Sequence, residues 1–170
     1  QELYALIFLK CDVSGEISGE KFKKDNYKTT MFDLYFKDDV KGEKIILFNG
    51  RIRKKFKHQL EKGEKFITEA RMYHEMDKHY KVLCINKPLI IGTYLTDGYT
   101  KNIKKIFLEN PKGYMKYFEE ILASNTKDIL PEKRLYIIKH YILFSYLTKN
   151  KNILKPVKNK LDKFLITLLY

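Results

Sequence analysis

Lysine and arginine side chains lie beside aromatic residues at several places in the first half of the sequence. Cations neutralise phosphates and flat rings stack on unpaired bases, so this mixture is typical of surfaces that bind single-stranded nucleic acid. The candidate nucleic-acid-binding residues are Lys21, Lys23, Lys24, Tyr27, Tyr35, Arg71, Tyr73, His74, His79, Tyr80 and Lys81. The densest basic run adds four candidate phosphate contacts, Arg51, Arg53, Lys54 and Lys55.

Each of these residues also has an ordinary structural interpretation. A tyrosine on an antiparallel sheet commonly packs against its cross-strand neighbours. A basic run on a short helix is commonly the solvated face of that helix. Tyr35, Arg71 and Tyr73 are predicted to face outward on their strands. Asp33 and Glu69 are predicted to face outward beside them, and their negative charge opposes nucleic-acid binding. The sequence leaves both interpretations open.

Signals for catalysis or metal binding are weak. The histidines, His58, His74, His79 and His140, show no metal-ligand spacing with either cysteine. No glycine-rich phosphate loop occurs, and no nucleophile has a base three or four residues away. Four aspartates could gather as magnesium ligands of a nuclease, namely Asp12, Asp33, Asp38 and Asp39. The adjacent pair Asp38 and Asp39 is more typical of a turn. We therefore expect no enzymatic activity, no metal and no cofactor.

Composition indicates a folded basic protein. The 170 residues carry a formal net charge of +13, with 44% hydrophobic and 14% aromatic residues, which excludes a disordered basic tail. Cys11 and Cys84 are expected to be reduced core thiols, because a core of this size needs no disulfide. No apolar run approaches the ~18 to 20 residues of a membrane span, and no basic segment precedes the apolar residues of Gln1 to Lys10. We expect a soluble, unprocessed, intracellular protein with no membrane partner.

The hydrophobic pattern changes near residue 96, from short clusters to helical spacing, which predicts domains at 1–96 and 97–170. Strands are predicted at 3–13, 27–37, 44–48, 65–73 and 78–85, with a short helix at 51–60. Four later helices are predicted, from Thr100 to before Pro111, at 112–123, from Pro131, and at 156–169. Because the last residues are strongly apolar, they are expected to dock on this bundle or on another subunit.

Five short antiparallel strands would leave two bare edges unless the sheet closed on itself. A closed barrel with a helix between its third and fourth strands is the arrangement of an OB-fold. The prediction is therefore an α+β protein, with a five-stranded antiparallel OB-like β-barrel followed by a C-terminal α-helical bundle.

The stretch Ile45-Ile46-Leu47-Phe48-Asn49-Gly50, the basic helix after it, and the turn and alternating residues at 60–73 resemble OB-fold single-stranded-DNA-binding proteins. The resemblance covers about residues 3–87. It implies a groove across the middle strands, lined by basic and aromatic side chains. The chain departs from the bacterial proteins at Ala70, where they have glycine, and it has no tryptophan. Its apolar run Phe164 to Tyr170 replaces their acidic tail, so partner recruitment by such a tail is not implied.

The net positive charge, the aromatic residues and the family resemblance together predict a non-enzymatic protein that binds single-stranded nucleic acid without strong sequence preference. DNA is the expected ligand rather than RNA. Replication, recombination, or a viral or mobile-element setting would suit this role. The alternative is an OB-fold interaction subunit of a nucleoprotein complex for replication, telomeres or defence, binding another protein through its C-terminal helices. A small metal-dependent nuclease is the third hypothesis.

Overall fold

The structure, a computed structural model, describes residues 2–58, 60–92, 102–124 and 126–170. Contacts divide them into two compact units. The sheet unit contains residues 2–57 and 69–92, and the helical unit contains the described residues of 58–68 and 102–170. The domain boundary predicted near residue 96 lies outside the described residues. The segment 58–68 belongs to the helical unit, although it precedes residue 96 in the chain.

The sheet unit contains a mixed, open, four-stranded sheet in the described part of the chain. Its strands are β1 (Leu3–Cys11), β2 (Tyr27–Thr29), β3 (Lys44–Phe48) and β4 (Lys81–Ile91), in the spatial order β2-β4-β1-β3. β1 is antiparallel to β3, with Leu6 opposite Leu47, and parallel to β4, with Leu6 opposite Leu83. β2 pairs with β4 in antiparallel fashion. Because β2 and β3 remain edges, the sheet is not closed.

The predicted five-stranded antiparallel OB-like barrel is therefore wrong. Two of its five predicted strands are partly helical in the structure, and the central pair β1 and β4 is parallel. A parallel pair needs a long crossover connection, which the chain between β1 and β4 provides. The family resemblance implies a groove across the strands of a barrel, and this open sheet does not form a barrel. The resemblance itself stays a prediction.

The second predicted strand, 27–37, divides into the short strand β2 and the helix α1 (Met31–Phe36). Its alternating residues resemble a strand, but Met31 and Leu34, three apart, are the side chains buried most deeply. Thr30 caps the helix, and its hydroxyl accepts a hydrogen bond from the Asp33 N–H at 2.9 Å. This cap satisfies an N–H group that would otherwise lack a partner, so the segment is stable as a helix.

The fourth predicted strand, 65–73, is also wrong, because helix α3 (Glu69–Asp77) occupies its second half. Met72 and Met76, four residues apart, point into the core at helical spacing. The basic helix predicted at 51–60 shortens to α2 (Gly50–Arg53). The strand predicted at 44–48 is confirmed as β3, with the same bounds.

The last predicted strand, 78–85, begins later and continues further, as β4. Pro88 does not end it, because the register with β1 shifts on both sides of Pro88 and pairing continues at Ile90 and Ile91. Irregular pairing of this kind accommodates a residue that has no backbone N–H. The Asn86 side chain in this irregular stretch accepts from the Phe22 N–H at 2.9 Å and donates to the Phe22 carbonyl at 3.0 Å.

The core of the sheet unit lies between one face of the sheet and the helices. It contains Ile7 and Leu9 of β1, Leu34 of α1, Met76 of α3 and Val82 of β4, all fully buried. Cys11 and Cys84 are both buried free thiols, in agreement with the sequence prediction, and Cys84 is part of this core. Burial raises the pKa of the Cys84 thiol to about 12, so it is not reactive near neutral pH.

The helical unit contains α4 (Ile103–Glu109), α5 (Pro111–Leu122), α6 (Pro131–Leu147) and α7 (Lys160–Leu169). Pro111 and Pro131 lie in the first turns of α5 and α6, where a missing N–H costs nothing. The segment 58–68 docks on α5, because Glu64 accepts hydrogen bonds from the Lys112 and Gly113 N–H groups at the start of that helix. A carboxylate is favourable at this position.

One buried ion pair fixes α7 within the helical unit. Asp162 is fully buried, and its Oδ1 lies 2.8 Å from Arg134 Nε of α6. The two atoms form an ion pair, but their geometry does not meet the criteria of a hydrogen bond. Thr126 Oγ1 donates to Asp162 Oδ2 at 2.7 Å. Losing either partner would leave an uncompensated buried charge, so this pair sets which side of α7 faces inward. No helix among the described residues is long and apolar enough to span a membrane.

Candidate nucleic-acid interface

The topology brings the densest basic run to the end of the sheet where β4 begins. β3 is antiparallel to β1 and β4 is parallel to it, so the end of β3 and the start of β4 meet there. Two backbone hydrogen bonds fix this meeting point, from the Asn49 N–H to the Tyr4 carbonyl at 2.7 Å and from the Lys81 N–H to the Glu2 carbonyl at 3.1 Å. The segment that follows Asn49 is therefore anchored beside the turn between α3 and β4.

Segment 50–57 presents its cations to solvent. The Asn49 side chain caps α2 by accepting from the Arg51 N–H at 3.1 Å, and Ile52 is the buried anchor of the segment. Four exposed cations follow from this arrangement, namely Arg51, Lys54, Lys55 and Lys57. None of the four has an ion-pair partner among the residues that the structure describes. The sequence explains this, because no acidic residue occurs between Glu43 and Glu61.

Aromatic rings lie next to these cations. Phe56 packs edge-on against Tyr80, with ring centroids 6.2 Å apart, and Tyr80 is also 6.2 Å from the exposed His79. The Arg53 guanidinium lies 5.8 Å from the centre of the Phe48 ring, and it donates a hydrogen bond to the Phe56 carbonyl at 2.7 Å. We name this surface the basic corner, and it consists of Arg51, Arg53, Lys54, Lys55, Lys57, Phe56, His79 and Tyr80.

Other lysines of the sheet unit are neutralised within the fold. Lys23 pairs with Asp38 at 3.0 Å, and Lys37 pairs with Asp33 at 2.8 Å. Lys10 pairs with Glu43, and Lys78 pairs with Glu75. Charge that is already paired attracts phosphates less than the free charge of the basic corner.

The candidates at 21–27 lie away from the basic corner. Phe22 and the Asp25 side chain bind Asn86, five residues along β4 from Lys81, which is roughly 16 Å at ~3.3 Å per residue. Tyr27 is half-buried, its hydroxyl donates to Asp38 at 2.9 Å, and Lys23 and Lys24 lie over its ring. Lys21 and Lys24 are exposed. The structure thus groups Lys21, Lys23, Lys24 and Tyr27 as a second, separate cluster.

The candidates Tyr35, Arg71 and Tyr73 are on α1 and α3, so their predicted placement on outward strand faces is wrong, and His74, predicted in the connection between the last two strands, is also on α3. Tyr35 and Tyr73 pack against the core, and the Tyr73 hydroxyl donates to Glu69 at 2.7 Å. Arg71 is half-buried. Tyr35 and Tyr73 therefore have a role in packing the helices. Lys81, which is half-buried, begins β4 beside the basic corner.

His74 is packed between aromatic rings. Its ring centroid is 5.2 Å from that of Phe32 and 5.8 Å from that of Phe36. Burial, with the nearby Lys78 charge, lowers the pKa of His74 to about 4. The imidazole is consequently neutral at physiological pH and offers no positive charge to a phosphate.

Asp77, the last residue of α3, is an acidic residue whose side chain is hydrogen-bonded within the sheet unit. Its carboxylate accepts hydrogen bonds from the Met31 N–H at 3.1 Å, the Phe32 N–H at 2.9 Å and the Tyr4 hydroxyl at 3.0 Å. Burial raises the pKa of Asp77 to about 6. All of its partners belong to the start of α1 and to β1, so the group holds these elements together.

The aspartates of the nuclease hypothesis do not converge. Asp12 accepts from Ser14 and Glu16 in a turn, Asp33 pairs with Lys37, and Asp38 pairs with Lys23 and Tyr27. Across the described ranges, no three His, Cys, Asp or Glu side chains form a group that could hold a metal ion.

Two features of the site were not predicted from the sequence. The Phe56 contact with Tyr80 depends on the meeting of β3 and β4, which no local pattern reveals. Lys57 belongs to the basic run, but it was not among the predicted phosphate contacts. Its exposure and the absence of acidic neighbours in the sequence are the signals that identify it.

The chain was also compared with known proteins. No family model, no curated protein and no solved structure matches it.

Proposed function

We propose that the protein binds single-stranded nucleic acid at the basic corner, without catalysing a reaction on it. The observation that carries this proposal is the group of four exposed cations that have no carboxylate partner among the described residues. Because no internal ion pair must be broken, all four are available to phosphates. The expected ligand is DNA or RNA bound mainly through its backbone, with little sequence preference.

The rings beside the cations favour a single strand over a duplex. Tyr80 is half-buried and His79 is exposed, so both present part of a flat surface next to the cations. An unpaired base can stack on such a surface, whereas a paired base within a duplex cannot reach it. The cations would then follow the phosphates while one or two bases lie on the rings.

Fluorescence anisotropy with labelled single-stranded and duplex oligonucleotides of equal length tests the proposal. The test variant replaces Arg51, Lys54, Lys55 and Lys57 with glutamine. Removing four phosphate contacts should lower single-strand affinity on the order of 10²-fold near 0.1 M salt, and should reduce the log–log salt slope by about 3. Unmodified protein should bind the single strand more tightly than the duplex.

A matched control variant replaces Lys155, Lys158, Lys160 and Lys163 with glutamine, which removes the same charge from the helical unit. This variant should lose less than about fivefold, because only long-range, salt-screened attraction changes. Equal losses in the two variants would overturn the proposal, since they would show that total charge and not the basic corner determines binding. Weak binding of both nucleic-acid forms, unaffected by either variant, would instead favour a protein-interaction subunit.

A further inference from the structure

Helix α7 carries an apolar stripe on its outer side. Leu161, Phe164 and Leu168 are 49%, 62% and 69% exposed, and Leu165 beside them is half-buried. These four residues, which we name the α7 stripe, follow the i, i+3, i+4, i+7 spacing of one helix face. Such spacing normally marks a face that packs against another helix.

The α7 stripe faces outward because the opposite side of the helix is fixed inward. Asp162 and Ile166 are fully buried, and Asp162 is held by Arg134 and Thr126. Turning α7 to bury the stripe would pull Asp162 away from Arg134 and leave a buried charge unpaired. The exposure of the stripe is therefore built into the packing of the helical unit.

Unpaired positive charge lies beside the α7 stripe. Four exposed lysines lie in α7 or just before it, namely Lys155, Lys158, Lys160 and Lys163, and Lys160 is four residues from Phe164 of the stripe on the same helix. None of them has an ion-pair partner among the described residues, and the one acidic residue between Lys149 and Tyr170 is Asp162, which Arg134 already neutralises. A ligand that covers the stripe therefore meets lysines that have no counter-charge.

From these observations we propose that the α7 stripe binds an amphipathic helix of another protein, with apolar residues at i, i+3 and i+7 and acidic residues on the flank that meets the lysines. Charge complementarity decides the occupant. A second copy of this chain would place lysines against lysines, which is unfavourable. Nucleic acid would use the lysines but would leave the leucines without stacking partners.

The probe is a labelled peptide of about three heptads, with leucine at the a and d positions and glutamate at e and g. Its counterpart has lysine at e and g. Fluorescence anisotropy with the full chain should show the acidic peptide binding at least tenfold more tightly than the basic one, with weaker binding at higher salt. Replacing Phe164 and Leu168 with serine should reduce acidic-peptide affinity at least tenfold.

The matched control replaces Leu143 and Tyr146 with serine, because these are exposed apolar residues of α6, 45% and 73% exposed. This control should change peptide affinity less than twofold. Failure to bind the acidic peptide, or equal binding of both peptides, would overturn the inference. So would a dimer in sedimentation that Phe164→Ser abolishes, or binding to anionic lipid vesicles without peptide binding. None of these results bears on the basic corner, which is tested separately with oligonucleotides.

Discussion

The basic corner and the C-terminal lysines are both surfaces of unpaired positive charge among the described residues, and they differ in the residues that surround the cations. At the basic corner, the neighbours are Phe56, His79 and Tyr80. At the C-terminal lysines, the neighbours are the branched and aromatic side chains of the α7 stripe. Flat rings suit unpaired bases, whereas a row of aliphatic side chains suits a helix. The cations alone would assign the same ligand to both surfaces, and their neighbours distinguish them.

The surfaces also differ in how the fold supports them. The basic corner is anchored by backbone hydrogen bonds at the end of the sheet, from Asn49 and Lys81. The α7 stripe depends on one buried ion pair, between Asp162 and Arg134. A change that releases α7 should therefore affect one ligand and not the other.

The largest expected effect comes from removing that ion pair. Asp162→Ala leaves the Arg134 guanidinium without its partner, and this should lower the free energy of unfolding by about 3 to 5 kcal/mol. Urea denaturation measures the loss, with Glu132→Ala, an exposed change in the first turn of α6, as the control. Under folding conditions, oligonucleotide affinity should be unchanged and acidic-peptide affinity should fall.

A decrease below about 1 kcal/mol for Asp162→Ala would show that the pair contributes no more than a surface ion pair. An equal decrease in affinity for both ligands would remove the distinction between the two surfaces.

A second prediction concerns His74 of α3 and asks whether its imidazole contributes positive charge near the basic corner. The pKa of His74 is lowered from 6.5 to about 4 in the folded protein, so its contribution to stability is present above pH 6.5 and is lost as the pH falls through 4. The difference in unfolding free energy between unmodified protein and His74→Phe should fall by up to about 3 kcal/mol over this window, because Asp77 contributes equally to both proteins. Asp77, whose pKa is raised, contributes in the opposite direction, and its stabilisation is lost as the pH rises through about 6.

Urea midpoints at several pH values check this prediction, and oligonucleotide titrations at the same pH values separate stability from binding. The affinity ratio of His74→Phe to unmodified protein should be the same at about pH 7.5 and pH 5.5, because His74 is neutral at both. A ratio that changes with pH would show that His74 supplies charge to the ligand.

The smallest effect is expected from removing one ring on each surface. Tyr80→Leu removes a stacking surface but keeps an apolar contact for Phe56, so single-strand affinity should fall about 5- to 30-fold. Phe164→Leu removes a ring from the α7 stripe and should leave single-strand affinity within twofold. Anisotropy titration compares the two, and a duplex serves as the ligand control. Equal effects would mean that the rings at the basic corner do not contact bases.

Part of this fold could be predicted from local patterns. The strand at Lys44–Phe48 and the start of α6 at Pro131 follow from β-branched clusters and from proline placement. Helices α1 and α3 could not be recognised by alternation, because short amphipathic segments fit both periods. The cap at Thr30 was the available signal for α1. The parallel pairing of β1 and β4 has no local signal, since it joins segments about seventy residues apart in sequence.

The candidate site, like the fold, could be predicted from the sequence only in part. The basic run at 51–55 was predicted from residue type alone, because an acid-free stretch of cations is visible in the sequence. The outward placement of Tyr35, Arg71 and Tyr73 failed together with the barrel that it required. The pairing of Phe56 with Tyr80 became apparent only when the ends of β3 and β4 were placed together.

Lysine footprinting tests the central claim most directly, because it locates a bound strand on the unmodified protein. The protein is acetylated with and without a saturating oligodeoxythymidine, and mass spectrometry compares the modification of each lysine. We expect protection at Lys54, Lys55 and Lys57, with Lys155, Lys158, Lys160 and Lys163 modified equally in both samples. Protection of the C-terminal lysines, with none at Lys54, Lys55 and Lys57, would contradict the assignment of nucleic acid to the basic corner.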